Sequence, residues 1–220
     1  MLDVVPAVIN KNVMLKTKVF LNHKFSLPIF YRILKNLNLS IKKSSITFIS
    51  KLNNLHSEMM RMNSNLLNEV FSILNEKKLT IATAESCTGG LIAHTLTNIS
   101  GSSEYFDRGI VSYSNRAKME LLDVSEESLR KYGAVSEEVA KEMAEGVRIR
   151  SGVDIGISTT GIAGPTGGSK DKPVGLVYVA VSTKDKTVVR KFLFKGDRLQ
   201  NKESACEAAL SMLLDILKSG

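Results

Sequence analysis

The amino-acid sequence predicts an α/β fold: a three-layer α/β/α sandwich with a mixed, mainly parallel sheet and a C-terminal antiparallel hairpin. Three observations predict it. Short apolar, strand-like runs alternate with helical stretches through the middle of the chain. Two long strand-like runs, "VGLVYVAVST" and "TVVRKFLFKG", then adjoin with only "KDK" between them. A helical stretch, "LQNKESACEAALSMLLDIL", closes the chain. Alternation of strand and helix demands parallel pairing and helices on both faces, while the late hairpin must pair antiparallel.

Each element has its own reason. "NLLNEVFSILNEKKL" places Leu66, Leu67, Val70, Phe71 and Leu74 on one helical face. "TIATAE" is a short strand, "GGLIAHTLTNI" is helical, "GIVSYS" is a strand, and "NRAKMELLDV" opens another helix. "SEEVAKEMAEGVRIRSG" begins with Ser136 as a capping residue ahead of acidic positions and stops at Gly152. "VDIGISTTG" supplies a third strand before the hairpin.

Composition divides the chain in two. Residues 1–62 hold ten Lys and Arg against two Asp and Glu, which leaves twenty of each sign in residues 63–220. The whole net charge of +8 therefore sits in the first segment, and the neutral remainder has no electrostatic reason to bind nucleic acid. The basic segment resembles an organellar transit sequence. It also fits residues upstream of a true start at Met59, Met60 or Met62, and less well a basic nucleic-acid arm. The expected location is the cytoplasm, or a mitochondrion or plastid if the segment is a genuine transit sequence. No apolar run reaches the roughly 18 residues of a membrane span, so no membrane association is expected. Two cysteines, Cys87 and Cys206, are too few for a disulfide framework or a structural zinc site, and neither metal nor cofactor is expected.

In a sheet of this kind ligands bind outside the carboxyl ends of parallel strands. Three unusual turns fall there: "ESCTGG", "YSNRAK" and "TTGIAGPTGGSKDKPVG". Ser86 in the first is a candidate nucleophile, with helix amides beyond it. His94, the one histidine of the neutral part, lies eight residues further on, roughly 12 Å along a helix, and cannot act as its base. The same distance separates it from Cys87, whose expected role is packing. Glu85 should point to the opposite face of the strand from Ser86, as a surface or helix-dipole carboxylate.

Lys118 is a further candidate. If Ser114 or Asn115 caps the helix, this lysine falls in the first turn, where the positive helix end disfavours a cation by about 0.3–1 kcal/mol. Burial against the sheet would lower its pKa further and leave a neutral amine able to take the proton of Ser86. From spacing alone, an exposed lysine on a short helix is the alternative.

These blocks, "TAESCTGG", "GSSEYFDRGIVSYSNRAKMELLDV", "GAVSEEVAKEMAEG", "GIAGPTGGSKDKPVGLVYVAV" and "GDR", occur in the order and spacing of the CinA C-terminal domain family, the nicotinamide-nucleotide amidohydrolases. The resemblance runs from about Leu66 to Leu217. It implies an oligomeric three-layer α/β protein that hydrolyses the carboxamide of nicotinamide mononucleotide to nicotinate mononucleotide and ammonia, in pyridine-nucleotide salvage. The family's serine, tyrosine and lysine fall on Ser86, Tyr113 and Lys118, which makes Lys118 the preferred base and Tyr113 a proton relay or orienting group. Thr88, Gly89 and Gly90 would then open a helix whose amides serve an oxyanion or phosphate. Thr160, Gly161, Ala163, Gly164, Gly167 and Gly168 would form a second wall against the nucleotide. Arg198 is a further phosphate candidate, an exposed charge or a pair with Asp197 being its alternatives. Residues 63–220 are thus the expected amidohydrolase domain. The large molybdopterin-binding-like domain that precedes it in full-length members has no counterpart in residues 1–62, so nothing belonging to that domain is implied.

Overall fold

The computed structural model describes residues 65–219. The basic segment, and with it the transit-sequence reading, lies outside the described residues. The elements follow as α1 (residues 65–77), β1 (Ile81–Glu85), α2 (Leu91–Leu96), a 3-10 turn (Ser102–Glu104), β2 (Phe106–Val111), α3 (Asn115–Leu122), α4 (Glu126–Tyr132), α5 (Glu137–Ser151), β3 (Ile155–Gly161), β4 (Leu176–Ser182), β5 (Thr187–Leu193) and α6 (Arg198–Ser219).

The five strands form one mixed sheet in the order β2-β1-β3-β4-β5. β1 lies parallel to both β2 and β3, whereas β4 runs antiparallel to β3 and to β5. Four strands therefore point one way and β4 the other. The β4–β5 turn closes at the expected "KDK", where the Thr183 amide donates to the Lys186 carbonyl at 2.8 Å.

Alternation along the strands sorts the core into two layers. Ile81 of β1, Ile155 and Ile157 of β3 and Val177, Val179 and Val181 of β4 face α1, α2 and α6 in the larger cluster. Ala82 and Ala84 face Leu122, Val139, Met143 and Val147 of α3 and α5 on the other side, and Ala180 meets Ala140 and Ala144 of α5. The second face is made of small residues, so α5 sits close to the sheet. A Cβ on Gly156 would stand 2.1 Å from the Ala144 carbonyl oxygen.

Two expectations move. The second strand covers Phe106–Val111, earlier than "GIVSYS", and Tyr113 lies beyond it. β2 is an edge strand, so exposed Asp107 and Arg108 break the apolar signature that would have marked its start. The helix Glu126–Tyr132 was not expected, although Ser125 caps it by accepting from the Ser128 amide, with two acidic residues in its first turn and two basic ones in its last.

Candidate active site

β1, β2 and β3 deliver their carboxyl ends side by side, with Glu85 in register with both Val111 and Thr159. The backbone continues this alignment past the strands. The Ser86 amide donates to the Thr159 carbonyl and the Ser112 amide to the Glu85 carbonyl, both at 2.9 Å.

Glu85 and Ser86 then point in opposite directions. The Glu85 carboxylate is fully buried and accepts from the amides of Gly90, Ile92 and Ala93 at 2.9, 3.1 and 2.8 Å. It is the helix-dipole carboxylate of the two readings, not the surface one. It also occupies most of the first turn of α2, so Gly90 has no free amide for an oxyanion or phosphate.

Ser86 meets Lys118 on the other side. Ser114 caps α3, its hydroxyl accepting from the Ala117 amide at 3.0 Å, so Lys118 does fall in the first turn. With Leu122 four residues on, it forms the buried stripe of that helix. Only 1 % of Lys118 is exposed. Its Nζ lies 3.1 Å from the Ser86 Oγ and donates to the Ser112 carbonyl at 2.7 Å. Burial lowers its pKa to about 8. Cys87 is itself pushed up to about 11 by burial, so its thiol stays protonated and packs in the core. The Ser112 hydroxyl is buried and has no hydrogen-bond partner among the described residues.

Tyr113 is displaced from that pair. It is 61 % exposed, and its hydroxyl accepts from Arg198 Nη2 at 3.1 Å. Arg198 Nη1 donates to the Gly164 carbonyl at 2.8 Å, so the guanidinium ties the edge of the sheet to the β3–β4 loop. It makes no ion pair with Asp197, whose carboxylate instead accepts from the amides of Leu199 and Gln200.

The small-residue positions divide by what they touch. The buried Thr88 and Thr159 hydroxyls share a hydrogen bond of 2.7 Å, and Thr160 Oγ1 donates to the Ala134 carbonyl at 2.6 Å, so all three threonines brace the walls through their side chains. Gly161 leaves room for β4, since a Cβ there would stand 2.6 Å from the Leu176 carbonyl oxygen. The Ala163 carbonyl accepts from Asn201 of α6. Gly164 adopts φ 86°, in the region that favours glycine, and a Cβ would strike Val174. Gly167 and Gly168 lie in the exposed part of the loop, and Gly89 is exposed at the mouth of the β1–α2 turn.

Sequence reasoning left the hydrogen-bond target of Glu85 open and gave Ser112 and Lys202 no role. The pattern E-x4-G-x-I-A, a carboxylate just before a glycine-opened helix, was the available signal for Glu85. Nothing in the chain order indicated the other two.

The sequence model of the CinA C-terminal domain family matches residues 63–217. A CinA-like protein of Fusobacterium nucleatum is 51 % identical over 180 residues, covering 80 % of this chain and 44 % of its own length. A CinA-like protein of Chloroherpeton thalassium is 55 % identical over 151 residues, covering 67 % of this chain and 36 % of its own. The chain thus spans less than half the length of these curated relatives. Among solved structures, the competence/damage inducible protein CihA from Agrobacterium tumefaciens superposes with a TM-score of 0.69 at 40 % identity, over 71 % of this chain and 95 % of that one. A family match over most of the chain and a shared fold at 40 % identity agree with the five sequence blocks: the chain belongs to the CinA C-terminal domain family.

Proposed function

We propose that this domain is a serine-lysine amidohydrolase that converts nicotinamide mononucleotide to nicotinate mononucleotide and ammonia. One observation carries the chemistry: a buried lysine with a pKa near 8 stands 3.1 Å from a serine hydroxyl at the carboxyl end of a parallel strand. The choice of substrate rests on the family resemblance of the surrounding blocks. Names such as CinA-like or competence/damage inducible identify kinship and no reaction, so the activity of those longer relatives is not carried over.

The steps follow from the atoms present. Neutral Lys118 takes the Ser86 proton as Oγ attacks the carboxamide carbon, and the carbonyl oxygen gains negative charge. The C–N bond breaks as Lys118 returns the proton to the leaving nitrogen, which departs as ammonia. Water, deprotonated by the same amine, then cleaves the acyl ester and restores Ser86. Tyr113 and Arg198 sit at the mouth, where the nucleotide enters.

Ammonia release from purified protein over a panel of pyridine nucleotides and other small amides tests the reading. Ser86→Ala should lose activity by about 10³-fold or more while still binding nucleotide, because its hydroxyl contributes little packing. Cys87→Ala should stay active. An active Ser86→Ala beside an inactive Cys87→Ala would move the nucleophile by one residue, and release of ammonia from other amides alone would replace the substrate.

A further inference from the structure

The start of α6 reaches all three turns at the carboxyl ends of the parallel strands. Arg198 donates to Gly164 and Asn201 to Ala163, so this turn is pinned to the β3–β4 loop. One helical turn on from Arg198 stands Lys202, half-buried, and its Nζ reaches the β1–α2 turn: a Cβ on Gly89 would lie 3.5 Å from it. Gly89 is three residues from Ser86. Even a fully extended chain of that length reaches only about 10 Å, so Lys202 stands over the turn that carries the nucleophile.

Neither cation has a carboxylate within ion-pair distance among the described residues. The nearby acids are engaged or turned away: Glu85 accepts three amides of α2, Asp197 accepts two of α6, and Glu203 is exposed. Two cations held near one mouth, beside the small residues Gly89 and Gly164, leave an unbalanced positive charge where a ligand would sit. An anion is the complement. A guanidinium fixed by two hydrogen bonds and a lysine one turn further along the same helix suit a tetrahedral dianion better than a planar carboxylate, which one bidentate arginine would satisfy. Tyr113, accepting from Arg198, keeps its own hydroxyl proton to donate to the same group.

We infer that Lys202, together with Arg198, seats a phosphate monoester and thereby selects a nucleotide over its nucleoside. The inference rests on the amidohydrolase reading for the identity of the rest of the ligand, not for the anion seat itself. Lys202 contacts the phosphate and takes no part in the proton transfer at Ser86.

The test compares nicotinamide mononucleotide with nicotinamide riboside, using the full chain and its Lys202→Ala and Lys202→Arg variants. Loss of one charge-assisted contact should raise KM for the mononucleotide about tenfold or more, leave kcat within about threefold, and leave the riboside unchanged. Lys202→Arg should recover most of the loss. Inorganic phosphate should compete with the mononucleotide in the wild type and less well in Lys202→Ala. Weakening by free phosphate of riboside turnover through a non-competitive effect would instead mark a regulatory anion and overturn the selection role. Equal losses on both substrates, or an unchanged KM for the mononucleotide, would also overturn it. Calorimetric binding of nicotinate mononucleotide and of inorganic phosphate needs no turnover. If no amide is hydrolysed yet the wild type binds these anions and Lys202→Ala binds them about tenfold more weakly, the seat stands and the amidohydrolase reading falls. Turnover with no preference for the phosphate-bearing substrate would be the reverse result.

Discussion

At Lys118 the proposed proton transfer and stability oppose each other. Its pKa of about 8 lies below the ordinary 10.5, so between these values the unfolded chain binds a proton that the native site rejects. Stability from this group therefore rises with pH from about 8 to about 10.5, and below 8 the fold carries the full cost of an enclosed ammonium, about 3 kcal/mol. Activity should climb with pH through an apparent pKa near 8, as the amine becomes neutral. Lys118→Met should be inactive yet melt at higher temperature than wild type at pH 7, by an amount reduced by the lost hydrogen bond to the Ser112 carbonyl. The difference should shrink toward pH 10. Lys118→Arg keeps the charge and cannot deprotonate, so it too should be nearly inactive. An active Arg variant beside an inactive Met variant would mean that position 118 supplies charge, and that another group activates Ser86. Glu85 is the converse case. Its carboxylate holds three amides, and Glu85→Gln would replace one acceptor oxygen by a donor facing N–H groups, at a cost of about 2–4 kcal/mol in urea unfolding.

At the scale of elements, the site depends on how closely helices approach the sheet. α3 can lay Lys118 under Ser86 because it packs on α5, where a Cβ on Gly146 would stand 1.9 Å from the Leu122 carbonyl oxygen. α5 in turn lies against the glycine and alanines of the sheet's second face. Gly156→Ala forces a methyl against backbone, which cannot rotate away, and should destabilise by about 3 kcal/mol or more in urea unfolding. By contrast, Lys78 follows α1 with φ 54° in the left-handed region. Lys78→Gly should stabilise by about 0.5–1 kcal/mol in the same assay, since glycine takes that conformation without a steric penalty. The backbone environment decides the opposite signs of these two substitutions.

For the molecule as a whole, the groups proposed to react lie at the end of β1 and on α3, and those proposed to face the nucleotide lie on the β3–β4 loop and α6. All lie within residues 63–217, the span of the family match. A chain starting at Met62 should therefore fold and release ammonia at the rate of the full chain, as measured side by side. Lost activity would show that the preceding basic residues pack into the domain. No described helix is long and apolar enough to cross a membrane.

The sequence by itself determined the layers and where the three unusual turns gather. Periodicities of two and 3.6 residues report which face of each element is apolar, and strand-to-helix turns must gather where parallel strands end. Ser114 as a cap and Lys118 in the first turn were legible for the same reason, because a helix start is a local event. The pairing of Ser86 with Lys118 rested on the elimination of His94 and on the family resemblance, since 32 residues and a strand crossover separate them. Only the tertiary structure decided that Lys118 is buried, that Glu85 occupies the amides of α2, and that Tyr113 leans on Arg198 instead of Ser86. It alone brought Lys202 to Gly89. Such facts depend on which residues distant in the chain exclude water from one another, and chain order does not encode that locally.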